Sequence, residues 1–236
     1  MANIIITGAS SGIGFETVLD LTSNKENNVI ALARSADKLR RLHEISSDLN
    51  FDGGKLYPAQ FDIVYDNYAD SLVPFIKSKF DKVDILINNA GALINKPFLE
   101  TSTEDFAQML QSNLLGHINM IKHITPLMTE GGHIVNISSM GGFQGSSKFA
   151  GLSAYSASKG ALAILTESLA EEFKDKNIKV NCLALGSSQT EMFEAAFPGL
   201  EAGTLAFEMG RYVAEFAQNG SKFYNGKILP VSNTTP

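Results

Sequence analysis

Short apolar runs alternate with longer amphipathic segments along the whole chain, and this alternation constrains the fold more than any other feature. "NIIITG" (3–8), "NVIALA" (28–33), "KLYPAQFD" (55–62), "VDILINNAG" (83–91), "GHIVNISS" (132–139), "IKVNCLALG" (178–186) and "GKILPV" (226–231) read as strands. Residues 14–24, 35–49, 103–129 and 152–176 carry a helical period. Ser35 is a candidate N-cap with Asp37 in the first turn. Over 152–176 the apolar stripe runs through Leu162, Leu165, Leu169 and Phe173. Several strands are apolar on successive residues, which marks a sheet covered on both faces. Strand–helix–strand alternation implies parallel pairing through right-handed crossovers. The expected fold is α/β: a single doubly wound, Rossmann-like parallel sheet of about seven strands with helices on both faces, one domain over 1–236.

Bulk properties exclude some functions. Hydrophobic residues make up 44% and charged residues 19% of the 236, an ordinary globular balance. The net charge of −6 argues against nucleic acid or an anionic membrane as partner. One cysteine, Cys182, permits no intramolecular disulfide, and its apolar strand setting suggests a packed thiol. No signal peptide is visible and no apolar run nears the roughly 18 residues of a membrane span, so a cytoplasmic protein is expected. His43, His117, His123 and His133 show no ligand spacing, and no metal site is expected.

In a doubly wound sheet, ligands bind beyond the carboxyl ends of the strands. After the first strand comes "TGASSGIG", with Gly8, Gly12 and Gly14. Such a turn lets backbone approach a ligand and aims a helix N-terminus at it, as a pyrophosphate site requires; a bare tight turn would also fit. The spacing departs from G-x-G-x-x-G. After the fourth strand comes "NNAG" (88–91), where small residues would let a ribose or nicotinamide lie close. In "YSASK" Tyr155 and Lys159 are four apart, hence on one helix face. A nearby ammonium lowers a phenol's pKa from about 10 toward the range where it exchanges protons. Ser156, Ala157, Ser158 and Gly160 leave room for a ligand beside the pair. An isolated pair of this kind is most often a surface Tyr beside a solvated Lys. Ser138 and Ser139 at the end of the fifth strand, and Asn113 mid-helix, give it company.

Taken in order, "TGASSGIG", "FDI" (61–63), "NNAG", "SNLLGH" (112–117), "HIVNISSMGG" (133–142), "YSASK" and "VNCLALGSSQT" (180–190) resemble the short-chain dehydrogenases/reductases over about four-fifths of the chain. The resemblance implies a nicotinamide-dependent oxidoreductase acting on a small carbonyl or alcohol. Tyr155 would be general acid or base, Lys159 would lower its pKa and hold the ribose, Ser139 would bind the substrate oxygen, and Asn113 would break its helix and hold a relay water. The cofactor would contact Gly8, Ser10, Ser11, Gly12, Ile13 and Gly14; Arg34 and Ser35; Asp62 and Ile63; Asn89, Ala90 and Gly91; Tyr155 and Lys159; and Gly186, Ser188 and Thr190. Ala33 stands where an NAD-specific site has an acid, and Arg34 follows it, so NADP(H) is favoured over NAD(H), although Ser11 supplies no basic residue within the glycine turn.

The chain also departs from the family. Ser139 and Tyr155 lie sixteen apart, longer than in most members; Ser138 is the fallback serine, then Ser146 or Ser147. Leu185-Gly186 replaces the usual Pro-Gly, and "VSNTTP" (231–236) the usual Asp-Gly-Gly. A short lid is expected over 187–212. Family resemblance implies a homodimer or homotetramer through the helices at 103–129 and 152–176, which carry more apolar residues than one stripe needs, including Met109, Leu110, Met120, Ile164 and Leu165. The competing reading is a catalytically weak nucleotide-binding regulator or scaffold on the same fold.

Overall fold

The apolar runs resolve onto two faces of one sheet. In the computed structural model, which describes residues 2–49 and 52–233, Ile4 and Ile6 point into one core and Ile5 into another. Ile85 and Ile87 join the first and Leu86 the second. Successive side chains on a strand face opposite ways, so a strand buried on both sides must be apolar throughout.

The strands are β1 (Ala2–Thr7), β2 (Asn27–Ala33), β3 (Lys55–Gln60), β4 (Val83–Asn88), β5 (Met128–Ser139), β6 (Lys179–Leu185) and β7 (Ile228–Val231). All pair parallel in the order β3-β2-β1-β4-β5-β6-β7. The order reverses between β1 and β4, and that switch point opens the crevice where doubly wound sheets bind ligands. The helices are α1 (Gly12–Ser23), α2 (Ala36–Leu49), α3 (Val73–Lys79), α4 (Thr103–Leu110), α5 (Gly116–Ile124), α6 (Ser153–Glu172), α7 (Glu191–Ala196) and α8 (Ala206–Asn219). Val18, Leu21, Leu39, Val213 and Phe216 from α1, α2 and α8 cover one face. Ile76, Met120, Ile121, Ile124 and Ala170 from α3, α5 and α6 cover the other. Ser35 caps α2, its Oγ accepting from the Lys38 amide at 3.3 Å.

Three expectations are corrected. The segment 103–129 is not one helix. A π turn over Gln111–Leu115 separates α4 from α5, and a 3-10 turn carrying Pro126 ends the run, so β5 begins at Met128. The buried face of α6 is Ala154, Ser158, Lys159, Leu162, Ala163, Thr166 and Ala170, so of the expected stripe only Leu162 lies fully within it. Leu165, Leu169 and Phe173 are only half-buried, beside Ile118 and Ile121 in a groove between α5 and α6. Small residues let α6 approach the sheet closely, and their hydroxyls are satisfied locally: Thr166 Oγ1 donates to the Leu162 carbonyl at 2.9 Å. Met109 and Met120 are fully buried within the chain and unavailable to a partner, whereas Leu110 and Ile164 are exposed.

The segment 187–212 divides in two. Residues 187–205 hold α7 and its flanking turns, while 206–212 begin α8, packed on α1 through the 3.2 Å bond from Thr17 Oγ1 to the Gly210 carbonyl. Of the unusual C-terminal stretch, residues 234–236 lie outside the described residues.

Candidate active site

A cavity of about 1040 Å³ opens above the carboxyl edge of the sheet. That reaches the upper end of the range for single ligands, room for a dinucleotide beside a smaller molecule. Every site residue expected from the sequence lines it except Asn113, which is fully buried behind the wall.

The glycine turn forms one arm. Gly8 has φ +70°, and a Cβ there would stand 2.7 Å from Ala90 Cα. A Cβ on Gly14 would lie 2.3 Å from the Gly8 carbonyl oxygen. Side-chain hydrogen bonds join this turn to the end of β4. Thr7 Oγ1 accepts from the Asn89 and Ala90 amides at 3.1 and 3.0 Å, and Asn89 Nδ2 donates to the Thr7 and Gly8 carbonyls at 3.1 and 3.2 Å. Asn89 therefore faces the cavity as a strut. Ser11 is the N-cap of α1 but makes no side-chain cap bond, so the helix dipole is left facing the cavity without a local anion. At the end of β2, Arg34 is exposed and takes part in no ion pair among the described residues. Asp37, the nearest downstream carboxylate, is turned to Arg40 at 2.8 Å.

Tyr155 and Lys159 stand on α6 at the cavity floor, with Ser139 at the end of β5. Lys159 Nζ is 6.0 Å from the centre of the Tyr155 ring and donates to the Ile137 carbonyl at 2.8 Å. Burial pushes the Lys159 ammonium down to about 8. Burial also pushes the Tyr155 phenol up, and the Ser139 hydroxyl beside it draws it partly back. The expected lowering of Tyr155 by Lys159 is not seen in the free chain, because both groups are dominated by loss of water. Ser139 Oγ accepts from the Gly141 amide at 3.1 Å and keeps its place at the cavity. The fallback serines are engaged elsewhere or lie outside the cavity. Ser138 Oγ donates to the Lys159 carbonyl at 2.8 Å, Ser146 Oγ donates to the Met140 and Phe143 carbonyls, and neither Ser146 nor Ser147 lines the cavity.

Asn113 sits in the π turn. Its Oδ1 accepts from the Ala92 amide at 2.9 Å, and its Nδ2 donates to the Ala92 carbonyl and Ser158 Oγ at 3.0 and 2.9 Å. A Cβ on Gly91 would lie 3.0 Å from that Oδ1 and 3.4 Å from Lys159 Nζ, so the three groups meet around Gly91.

A family model for short chain dehydrogenase matches residues 2–201. The chain belongs to the short-chain dehydrogenase family. The oxidoreductase BOA17 of Botryotinia fuckeliana is 30% identical over 225 residues, 94% of this chain and 78% of that protein. The 3-oxoacyl-acyl-carrier-protein reductase FabG of Thermotoga maritima is 32% identical over 192 residues, 80% of this chain and 75% of its own. The structure of a 7α-hydroxysteroid dehydrogenase complexed with NADH and 7-oxo glycochenodeoxycholic acid superposes with a TM-score of 0.88 at 26% identity, covering 99% of this chain and 93% of that one. This short-chain dehydrogenase is thus an oxidoreductase of the CH–OH/C=O type that uses a nicotinamide cofactor.

The residues of the dehydrogenase fit that cofactor. The α1 N-terminus offers an anion site without a local anion, and Ser188 Oγ is buried against the cavity with no hydrogen-bond partner among the described residues. Cys182 is buried and its thiol pushed up to about 11, a packed residue as expected. His117 is fully buried, and neither ring nitrogen meets a full hydrogen-bond geometry, although an Ala90 backbone group is close enough to raise its basicity slightly. Burial and then the Lys159 charge push it down to about 3, so it stays neutral. No helix among the described residues is long and apolar enough to cross a membrane.

Sequence reasoning missed two groups. Lys38, one turn past Arg34, lines the cavity and bonds Glu191 of α7 at 2.6 Å across its mouth; the i, i+4 spacing from Arg34 was the available signal. Leu93, Phe149, Met192, Phe193, Phe197 and Leu200 form an apolar wall. Its signal was the run of large apolar residues in "EMFEAAFPGL" (191–200).

Proposed function

We propose that this dehydrogenase interconverts a carbonyl and a secondary alcohol, favouring NADP(H) over NAD(H), with Tyr155 as general acid and base. The observation that carries the reading is the meeting of Ser139, Tyr155 and Lys159 on one cavity floor that continues to the α1 N-terminus. The bound cofactor supplies or accepts the hydride.

The chain's own groups do the rest. The Ser139 and Tyr155 hydroxyls hold the substrate oxygen between them. As that oxygen gains charge, Tyr155 gives it the phenolic proton; in the reverse direction it takes the proton back. Burial of Tyr155 keeps the phenol protonated, the state a reduction needs. Lys159 holds the ribose hydroxyls and supplies positive charge beside the phenol. Asn113, with both amide protons engaged, acts by position: it fixes Ala92 on one side and Ser158, the neighbour of Lys159, on the other.

The NADP(H) preference rests on Ala33 in place of an acid and on Arg34, free to meet a 2′-phosphate beside the Ser35 hydroxyl. The same reading holds the chain to be a homodimer or homotetramer, packed through the groove between α5 and α6. The test is a panel of ketones, aldehydes and alcohols run with NADPH and NADH in parallel. Turnover with NADPH at the higher kcat/KM is expected. Cofactor binding without turnover across the panel would favour the regulator instead.

A further inference from the structure

The substrate end of the cavity differs in chemistry from the cofactor end. Leu93 follows β4, Phe149 comes from the long loop before α6, and Met192, Phe193, Phe197 and Leu200 come from α7 and the turn after it. Phe193 and Phe197 pack against each other with ring centres 5.3 Å apart. Phe149, Met192 and Leu200 are 54%, 43% and 60% exposed, a large apolar surface for residues converging on one cavity.

The wall is braced from several sides. Asn95 Nδ2 donates to the Ala196 carbonyl at 2.8 Å, and the Lys96 amide donates to the Gly151 carbonyl at 2.9 Å. The Ala202 amide donates to Gln189 Oε1 at 2.9 Å, and Thr190 Oγ1 caps α7 by accepting from the Phe193 amide at 3.1 Å. The apolar face is therefore held open in place by bonds among the lid and its neighbouring loops.

Charge narrows the occupant further. The cations lining the cavity are Arg34, Lys38 and Lys159. Arg34 and Lys38 belong to the end of β2 and the start of α2, and Lys159 lies at the floor. The nearby cations of the substrate loops are turned elsewhere: Lys96 to Asp105 at 3.0 Å, and Lys148 to Ser146 Oγ at 2.7 Å and the Phe143 carbonyl. The charged groups at the apolar wall are two carboxylates, Glu191, which is paired with Lys38, and Glu201. A carboxylate, phosphate or acidic carrier on the substrate would meet like charge there, and the one cation that reaches α7 among the described residues is already engaged.

We infer that the substrate is a bulky, uncharged, largely apolar ketone, and neither an anionic acyl thioester nor a polyhydroxylated ketose. This deepens the reductase reading and rests on it. The carbonyl reaches Ser139 and Tyr155 while the hydrocarbon body covers Leu93, Phe149, Phe193 and Phe197.

The test compares a tetralone, acetoacetyl-coenzyme A and a ketose as substrates with NADPH, and separately measures binding of the tetralone by calorimetry. The kcat/KM for the tetralone is expected to exceed the other two by at least about tenfold, since each mismatch of apolar or hydrogen-bonding groups is worth that much or more. A preference for the thioester or the ketose overturns this inference while leaving the reductase reading intact. Turnover of none of the three counts against the reductase reading alone, and the inference is then judged by binding. Phe193→Ala and Phe149→Ala should each weaken tetralone binding by roughly tenfold. No measurable tetralone binding, or affinity unchanged in both variants, overturns the inference.

Discussion

Asn113 Nδ2 stands 2.9 Å from Ser158 Oγ, and this bond joins the π turn after α4 to the residue before Lys159 on α6. The same amide pairs with both backbone groups of Ala92. Asn113→Ala would leave the half-buried Ala92 amide and carbonyl without their side-chain partner, at about 1–3 kcal/mol for each group left unsatisfied, while Ser158 Oγ keeps its bond to the Tyr155 carbonyl at 2.7 Å. The variant should unfold at clearly lower urea and lose turnover more than cofactor affinity. An unchanged urea midpoint would show that the clamp carries no weight.

Tyr155→Phe keeps the ring and removes the proton donor. General acid–base steps contribute roughly 10²- to 10⁴-fold. Turnover should fall by that factor while calorimetry records cofactor affinity within about threefold of wild type. Near-normal turnover would remove Tyr155 from its role.

Lys159 carries a charge into a site where it is 4% exposed. Its folded pKa, about 8, lies below the ordinary 10.5. The unfolded chain therefore binds more protons between those values, and the group's contribution to stability rises with pH across that window. The cost is fully present below about pH 8 and gone above about 10.5. Lys159→Met removes the charge and keeps the apolar stem. It should abolish turnover yet stabilise the free protein by roughly 1–3 kcal/mol at pH 7, after allowing for the lost bond to the Ile137 carbonyl. Each kcal/mol raises Tm by about 2–4 °C in a chain of this size. The advantage should shrink by pH 10. A variant less stable than wild type at pH 7 would contradict this account.

The sheet was legible because burial on both faces leaves a plain mark: runs such as Ile4–Ile5–Ile6 have no alternation to disguise. The cavity floor was legible because its groups lie within short motifs at strand ends. The inner face of α6 was only partly legible, because apart from Leu162 it is built from Ala, Ser, Thr and a lysine, while Leu165 and Leu169 line the rim. The apolar wall was not, because its six side chains come from two loops and the α7 segment, which only the tertiary fold brings together. The upward push of burial on Tyr155 was not legible: spacing reports a neighbour's charge, but the extent of dehydration depends on the whole fold.

The groove between α5 and α6, with Ile118, Ile121, Leu165 and Leu169 half-buried or buried in it and Ile164 exposed beside it, predicts self-association. Light scattering at micromolar concentration should return a multiple of the 25.4 kDa chain mass, and Leu165→Glu should lower it. A monomeric mass for the unaltered chain would refute this.

Arg34 decides the last prediction. β2 ends at Ala33, so no carboxylate there accepts from an adenosine 2′-hydroxyl or repels a 2′-phosphate. Arg34 lines the cavity and takes part in no ion pair among the described residues, whereas Lys38 is engaged with Glu191. A charge-assisted contact to phosphate is worth roughly 1.5–3 kcal/mol, about 10- to 150-fold in affinity. Arg34→Ala should weaken NADPH by about that factor and leave NADH almost unchanged. Raising the salt should weaken NADPH binding to the unaltered chain more than to Arg34→Ala, because a partly exposed ion pair is screened. Calorimetric titration of both cofactors against both proteins reads all of these outcomes. A higher affinity for NADH in the unaltered chain, or an NADPH preference that survives Arg34→Ala intact, would place the choice of cofactor elsewhere than at the end of β2.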